Sequence, residues 1–263
     1  MTESTTRLAI IGAAGRMGTS LLENAADDDA LEVVVGIVDP GGDAPQTLGP
    51  QQVPTSDDPG AVADADVAID FSAPEAMLEA AKACADASVP LVSGTTGLSD
   101  RQWAEIDEIA GQIPLLYAAN YSVGVNVLAD LVGRATAAMG EDADIEIFEA
   151  HHRHKVDAPS GTAKMLGEAA AEARGAQLDD VAQWAREGHT GERTDDEIGF
   201  QVLRGGDIVG EHTAYLCIMG ERIELTHRAT DRGIFARGAL RAAKWLAGRP
   251  AGRYDMKDVL FGE

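Results

Sequence analysis

Arg7-Leu8-Ala9-Ile10-Ile11-Gly12-Ala13-Ala14-Gly15-Arg16-Met17-Gly18 runs from a short apolar segment into three glycines spaced three apart. The apolar residues suit a strand, the glycines a tight turn, and the residues from there to about 26 a helix. A second apolar strand at 33–38 ends in Asp39, 21 residues after Gly18. Strand, glycine turn, helix, strand and terminal acid together make a dinucleotide-binding unit. Glycines admit a pyrophosphate to the helix N-terminus, and the acid accepts from the ribose hydroxyls. Ala14 stands where the commonest form of this fingerprint has its middle glycine, so the strand-helix-strand context carries more weight than the glycine spacing.

The alternation continues downstream. Residues 39–59, full of Pro, Gly and Asp, read as a surface loop. Strands at 67–71, 90–93 and 115–118 are followed by helices at 74–87, 99–112 and from about 125. Each of these strands runs into a small polar loop, and in an open α/β sheet such loops line the cofactor crevice at the carboxyl edge. After Gly140 the texture changes. Residues 143–151 alternate as a half-buried strand, with Ile145, Ile147 and Glu149 assigned to different faces, and a helix covers 162–174. Strands at 198–203, 208–219 and 222–229 make this an α+β region, while a helix at 234–246 and a tail at 254–261 are expected to return to the first domain. The fold class is α/β: a Rossmann-type doubly wound parallel sheet from residues 1–126 and 234–263, with a smaller α+β domain from residues 127–233.

Composition narrows the partners. The formal net charge of −23 over 263 residues argues against nucleic acid and anionic membrane, both of which need a cationic face. No apolar run is long enough to span a bilayer, and Met1-Thr2-Glu3-Ser4 lacks a signal-peptide pattern, so a cytoplasmic protein is expected. Cys84 and Cys217 cannot build a disulfide framework or a four-thiolate zinc site. The acidic shell suits concentrated salt, where its self-repulsion is screened. Within that shell, Glu149-Ala150-His151-His152-Arg153-His154-Lys155-Val156-Asp157-Ala158-Pro159-Ser160-Gly161-Thr162-Ala163 concentrates three imidazoles and two fixed cations before a helix start. Unpaired amides at that start favour a carboxylate or phosphate. A metal is not expected, because Arg153 and Lys155 would set fixed positive charge beside it.

A dinucleotide fold beside a basic, imidazole-rich anion site suggests hydride transfer to a small carboxylated substrate, with His as proton source and Lys as carboxylate partner. A non-catalytic dinucleotide sensor would have no use for these titratable groups. A semialdehyde dehydrogenase would need a nucleophilic cysteine in the cleft, and Cys84 and Cys217 are poorly placed for that. No role is assignable from sequence to His189, His212 or His227.

Nearly the whole chain resembles the dihydrodipicolinate reductase family. The resemblance rests on the motifs at 12–18, 70–75 (Asp-Phe-Ser-Ala-Pro-Glu), 94–97 (Gly-Thr-Thr-Gly), 119–126 (Ala-Asn-Tyr-Ser-Val-Gly-Val-Asn), 149–163 and 206–213 (Gly-Asp-Ile-Val-Gly-Glu-His-Thr). It implies NADH- or NADPH-dependent reduction of 4-hydroxy-tetrahydrodipicolinate in the diaminopimelate route to lysine. It makes His151 the proton donor and acceptor, Lys155 a second donor that meets a substrate carboxylate, and His152, Gly161 and Thr162 substrate contacts. It assigns the cofactor to Gly12, Ala13, Ala14, Gly15, Arg16, Met17, Asp39, Gly94, Thr95, Thr96, Ala118, Ala119, Asn120 and Tyr121. It also makes the second domain a substrate-binding and oligomerisation domain of a homotetramer. Ala14 and Tyr121 depart from frequent Gly and Phe. Asp39 followed by Pro40, which offers no cation, favours NADH, whereas Arg16 is near enough in sequence to serve the extra phosphate of NADPH; both cofactors are expected to work, NADH better.

Overall fold

The computed structural model describes residues 5–41 and 44–262. Two compact units emerge, one holding the chain up to Val123 and again from Gly233, the other Gly124–Arg232. They part at 123 and 233 rather than at the 126 and 234 of the sequence reading. The physical reason is that the helix beginning at Val123 places Leu128, Ala129 and Val132 in the second unit's core, so its body goes with that unit.

In the first unit, β1 (Thr6–Ile11), α1 (Arg16–Ala26) and β2 (Leu31–Ile37) form the opening parallel unit. Residues 39–59 are not a plain loop. They contain β3 (Thr47–Leu48) and β4 (Val53–Ser56), paired antiparallel, with β4 extending the sheet beside β2. Such short strands leave no periodicity in a Pro- and Gly-rich stretch, and pairing alone defines them. β5 (Val67–Asp70), α2 (Pro74–Ala87), β6 (Leu91–Ser93), α3 (Asp100–Ala110) and β7 (Pro114–Tyr117) continue the winding.

α4 (Val123–Met139), β8 (Asp144–His151), α5 (Gly161–Ala173), α6 (Leu178–Val181), β9 (Ala182–Gln183), β10 (Ile198–Arg204), β11 (Gly210–Ile218) and β12 (Glu221–Ala229) belong to the second unit. The chain then returns with α7 (Gly233–Leu246), β13 (Gly252–Tyr254) and α8 (Met256–Phe261). The tail thus supplies an edge strand parallel to β7, which its three residues could not announce in sequence.

The first sheet has the order β13-β7-β6-β5-β1-β2-β4-β3. Winding reverses between β1 and β5, the switch point at which open α/β sheets bind ligands. β1 is buried on both faces, none of Leu8, Ala9, Ile10 or Ile11 being more than 3% exposed. Leu8 and Ile10 face α1 and α7; Ala9 and Ile11 face α2 and α3. Each large aliphatic side chain so buried contributes about 1.5–3 kcal/mol.

The second sheet has the order β12-β11-β8-β10-β9, with β8 parallel to β10 and antiparallel to β11. α4 and α5 cover one face, packing on Ile145, Ile147, Phe200, Ala214 and Leu216. A strand's period of two puts Ile145, Ile147, Glu149 and His151 all on this face, correcting their division between faces. That periodicity carries the core pattern onward into a buried carboxylate and an imidazole.

Candidate active site

β8 leaves the core at Glu149 and His151, and its neighbours in register supply what surrounds them. Arg204, the last residue of β10, pairs with His151, and His212 of β11 pairs with Glu149. Glu149 is fully buried, yet its two oxygens accept four hydrogen bonds. Oε2 takes His151 Nδ1 at 2.7 Å and Arg204 Nη1 at 2.7 Å. Oε1 takes Arg204 Nη2 at 2.8 Å and the Ser160 N–H at 2.9 Å. Those four donors fill the carboxylate's acceptor directions. Burial alone pushes the Glu149 carboxyl up; the bonds from His151, Arg204 and Ser160 outweigh it and hold it at about 2. A charge so fixed serves His151 rather than exchanging protons itself.

With Nδ1 committed to a carboxylate, the proton that His151 can trade sits on Nε2. The backbone of β11 passes close to that edge of the ring: a Cβ on Gly210 would lie 3.1 Å from Nε2. His212 meets His151 edge-on, ring centroids 5.0 Å apart, and its Nε2 lies 3.1 Å from Ser160 Oγ. Burial, and then the neighbouring His151, lower His212 to about 3, so it is neutral wherever the protein is folded near neutral pH. His212 therefore has a place in the site that its sequence context did not suggest.

The segment after His151 is a turn. The Arg153 N–H reaches Gly206 O at 3.2 Å and the Lys155 N–H reaches His152 O at 3.2 Å. The His154 N–H donates to His152 Nδ1 at 3.2 Å, so His152 and His154 do not share a strand face as paired ligands would. His152 is lowered by burial and by nearby Arg232. Among the described residues no group of His, Cys, Asp and Glu could hold a metal ion. Lys155 Nζ rests 3.0 Å from Asp157 Oδ1 with 22% of its side chain exposed. Burial pushes the Asp157 carboxyl up, but the bond from Lys155 prevails and lowers it. α5 follows, with Ser160 Oγ accepting the Ala163 N–H at 3.2 Å, and Gly161 and Thr162 form its first turn. His151, Lys155, Ser160, Gly161 and Thr162 thus stand within one stretch at the end of β8.

The other group of sequence-derived residues lies in the first unit, at the carboxyl ends of β1, β2, β6 and β7. Gly12 has φ +75, and a Cβ there would lie 2.6 Å from Phe71 O. Gly18 lets α1 approach β1: a Cβ would stand 2.4 Å from Gly12 O. Ala14, Gly15 and Arg16 are exposed, and Ala14 has no left-handed φ, so alanine costs this turn nothing. Among the described residues no side chain caps α1 at Gly15, so its first amides could take an anion such as a pyrophosphate. Ala13 is buried and Met17 packs on the core, so Ala13 offers backbone only.

Asp39 is exposed two residues beyond the end of β2. Thr96 and Ala119 are exposed; Gly94 and Asn120 are half-buried; Ala118 is buried. The side chains of Thr95 and Tyr121 turn inward, Thr95 to Asp70 and Tyr121 OH to Ser93 O at 2.7 Å, so these two could offer a ligand only their backbone. Cys84 is buried in α2, and burial followed by the charge of Asp70 pushes its thiol up to about 12, unsuited to a nucleophile.

Comparison with known proteins joins both units. The family model described as dihydrodipicolinate reductase, N-terminus, matches residues 6–121, and that for the C-terminus matches residues 124–260. The 4-hydroxy-tetrahydrodipicolinate reductase of Alkalilimnicola ehrlichii is 51% identical over 97% of this chain and 99% of its own. That of Acinetobacter baumannii is 51% identical over 97% and 96%. In fold, the chain is similar to the dipicolinate-bound dihydrodipicolinate reductase from Paenisporosarcina sp. TG-14, with TM-score 0.79, 23% identity, and coverage of 95% of this chain and 97% of that one.

Proposed function

Because the chain belongs to the dihydrodipicolinate reductase family, we propose that its second unit supplies the proton and the carboxylate contacts for reducing a ring dicarboxylate. The protein is a reductase of diaminopimelate and lysine biosynthesis that uses a nicotinamide dinucleotide to reduce 4-hydroxy-tetrahydrodipicolinate to tetrahydrodipicolinate. The nicotinamide supplies the hydride when bound. The 4-hydroxyl leaves as water to give the unsaturated ring. One ring carbon then receives the hydride and His151 hands its Nε2 proton to the neighbouring carbon, so two C–H bonds form, one water is released and the dinucleotide is left oxidised. Glu149 stabilises the imidazolium before transfer and keeps Nδ1 protonated after it. Lys155 turns from Asp157 to a substrate carboxylate, and the Gly161 and Thr162 turn of α5 receives the other, with His152 alongside.

The observation that carries this reading is the Glu149–His151 pair at 2.7 Å, buried and saturated so that only Nε2 is left to exchange a proton. His151→Gln tests it. Turnover should fall by about 10²-fold or more, the scale of a positioned acid, while pyridine-2,6-dicarboxylate still binds. Near-normal turnover would remove His151 from the chemistry.

In the first unit, the turn at Gly12, Ala13, Ala14, Gly15, Arg16 and Met17 holds the pyrophosphate, Asp39 the adenosine ribose, and the loops at 94–96 and 118–121 the remainder of the cofactor. NADH is preferred over NADPH. A homotetramer is supported by apolar side chains left open on the second sheet: Val202 and Leu203 are 38% and 41% exposed and Ile223 42%. Sedimentation that shows only monomer in concentrated salt would reject it. No helix among the described residues is long and apolar enough to cross a membrane, and we assign a cytoplasmic location that recovery in a membrane fraction would contradict.

A further inference from the structure

The ends of β5 and β6 meet on one buried carboxylate, and the loops after β1 and β7 meet the residues that surround it. Asp70, the last residue of β5, is fully buried, and what surrounds it is hydroxyls rather than cations. Ser72 Oγ donates to its Oδ1. Ser93 Oγ and Thr95 Oγ1 each donate to Oδ2 at 2.7 Å. These donors are themselves tied together: Thr95 Oγ1 accepts the Ser72 N–H at 2.9 Å, and Tyr121 OH donates to Ser93 O at 2.7 Å. The Asp70 carbonyl takes the Gly94 N–H at 2.9 Å.

The next residue is clamped as well. The Phe71 N–H donates to Ile11 O at 3.2 Å. Its ring meets Tyr121 edge-on with centroids 5.5 Å apart. A Cβ on Gly94 would lie 2.1 Å from that ring, and one on Gly12 2.6 Å from the Phe71 carbonyl. The loops after β1, β5, β6 and β7 are therefore set against one another through the Asp70 carboxylate and through the backbone and ring of Phe71.

Core packing does not call for such a group, because a buried carboxylate without a cation is costly and an apolar side chain of similar size would fill the space. Burial pushes the Asp70 carboxyl up in spite of its three hydroxyl donors. What the network does secure is the relative height of loops that otherwise consist of glycine, alanine and short polar residues.

We propose that Asp70 is a positioning residue for dinucleotide binding, its carboxylate tying the ends of β5 and β6 together, and through Phe71 and Ser93 the loops after β1 and β7, in the arrangement that receives the cofactor. The proposal rests on the dinucleotide reading of the first unit. Calorimetric titration of NADH, with NADPH in parallel, into the full chain and its Asp70→Asn, Thr95→Val and Thr95→Ser variants tests it. Asp70→Asn and Thr95→Val should raise Kd about tenfold, the scale of one or two misplaced hydrogen bonds, whereas Thr95→Ser, which keeps the hydroxyl, should stay within about threefold. Turnover of Asp70→Asn at saturating NADH should also stay within about threefold, so that the loss appears in KM rather than kcat. Native affinity in both Asp70→Asn and Thr95→Val, whatever their melting temperatures, would overturn the proposal. If Asp70→Asn does not fold, the Thr95 pair decides: equal affinities of the Val and Ser variants would overturn it. Failure of the unmodified chain to bind either dinucleotide would instead sink the underlying reading of the first unit.

Discussion

Two helices begin at places suited to anions, and they begin in opposite ways. α1 starts after Gly15 with no side-chain cap among the described residues. α5 starts after Ser160, whose hydroxyl takes the Ala163 N–H and whose own N–H is given to Glu149. Around α1 the chain offers shape: glycines where a Cβ would strike backbone, and alanines that present only amides. Around α5 it offers charge, with Lys155, Arg204, His151 and Glu149 in mutual contact or close by. A backbone site can bind an anion but has no proton to give, whereas a network of titratable side chains can do both. On the proposed reading the two units divide cofactor binding from proton and substrate chemistry, and substitutions should separate along the same line.

The largest separation should come from Lys155→Ala. Loss of a positioned charge should lower kcat/KM for the dicarboxylate by about 10²–10³-fold, with the dinucleotide KM changed less than about twofold. Steady-state kinetics with each substrate varied in turn measures this, and a comparable rise in the dinucleotide KM would blur the division.

Glu149→Gln should have a smaller effect on turnover, about tenfold to 10²-fold, because the imidazole remains but loses the group that orients it. It should also change acid stability. The Glu149 carboxyl stands at about 2 against an ordinary 4.5, so between those values the unfolded chain holds a proton that the folded chain does not. Stability then rises with pH across this window, is fully present above about 4.5, and is lost as pH falls through about 2. The shift corresponds to about 3 kcal/mol. His212, held near 3 rather than 6.5, acts with the same sign from about 6.5 downward, and its contribution persists in the variant. Denaturant unfolding at stepped pH should give a shallower curve for Glu149→Gln below 4.5; parallel curves would deny Glu149 its depressed pKa.

The smallest effect concerns the adenosine end. Asp39→Ala with Pro40→Arg replaces an acid by a cation at the proposed ribose site, and should shift the ratio of kcat/KM toward NADPH by about tenfold while leaving dicarboxylate binding alone. An unaltered ratio would take cofactor choice away from this position.

How much of this was legible in the sequence depended on whether a feature is local. The central strands could be read because they are continuous apolar runs ended by glycine or small polar residues, and the glycine turn because it stands between a strand and a helix. β3, β9 and β13 have two or three residues each and exist only through their partners, so no pattern marks them. In the site, residues 149–163 brought His151, Lys155, Ser160, Gly161 and Thr162 together by contiguity. Glu149 was within reach as well, since a strand's period of two places it beside His151. Arg204, 55 residues beyond Glu149, and His212, 52 residues beyond Ser160, arrive through sheet register, which no local spacing encodes. The inward turn of Thr95 and Tyr121 was equally hidden, because a polar loop residue looks the same whether it faces a ligand or a buried carboxylate.

The division between the two units is tested most directly by a crossed titration. Gly15→Asp puts a carboxylate at the uncapped start of α1, and Lys155→Ala removes the cation near α5. Each variant is titrated calorimetrically with NADH, and then, saturated with NADH, with pyridine-2,6-dicarboxylate. Gly15→Asp is expected to weaken NADH at least about tenfold and leave the dicarboxylate within about twofold, and Lys155→Ala to do the reverse. Equal loss of both ligands in either variant would contradict the division.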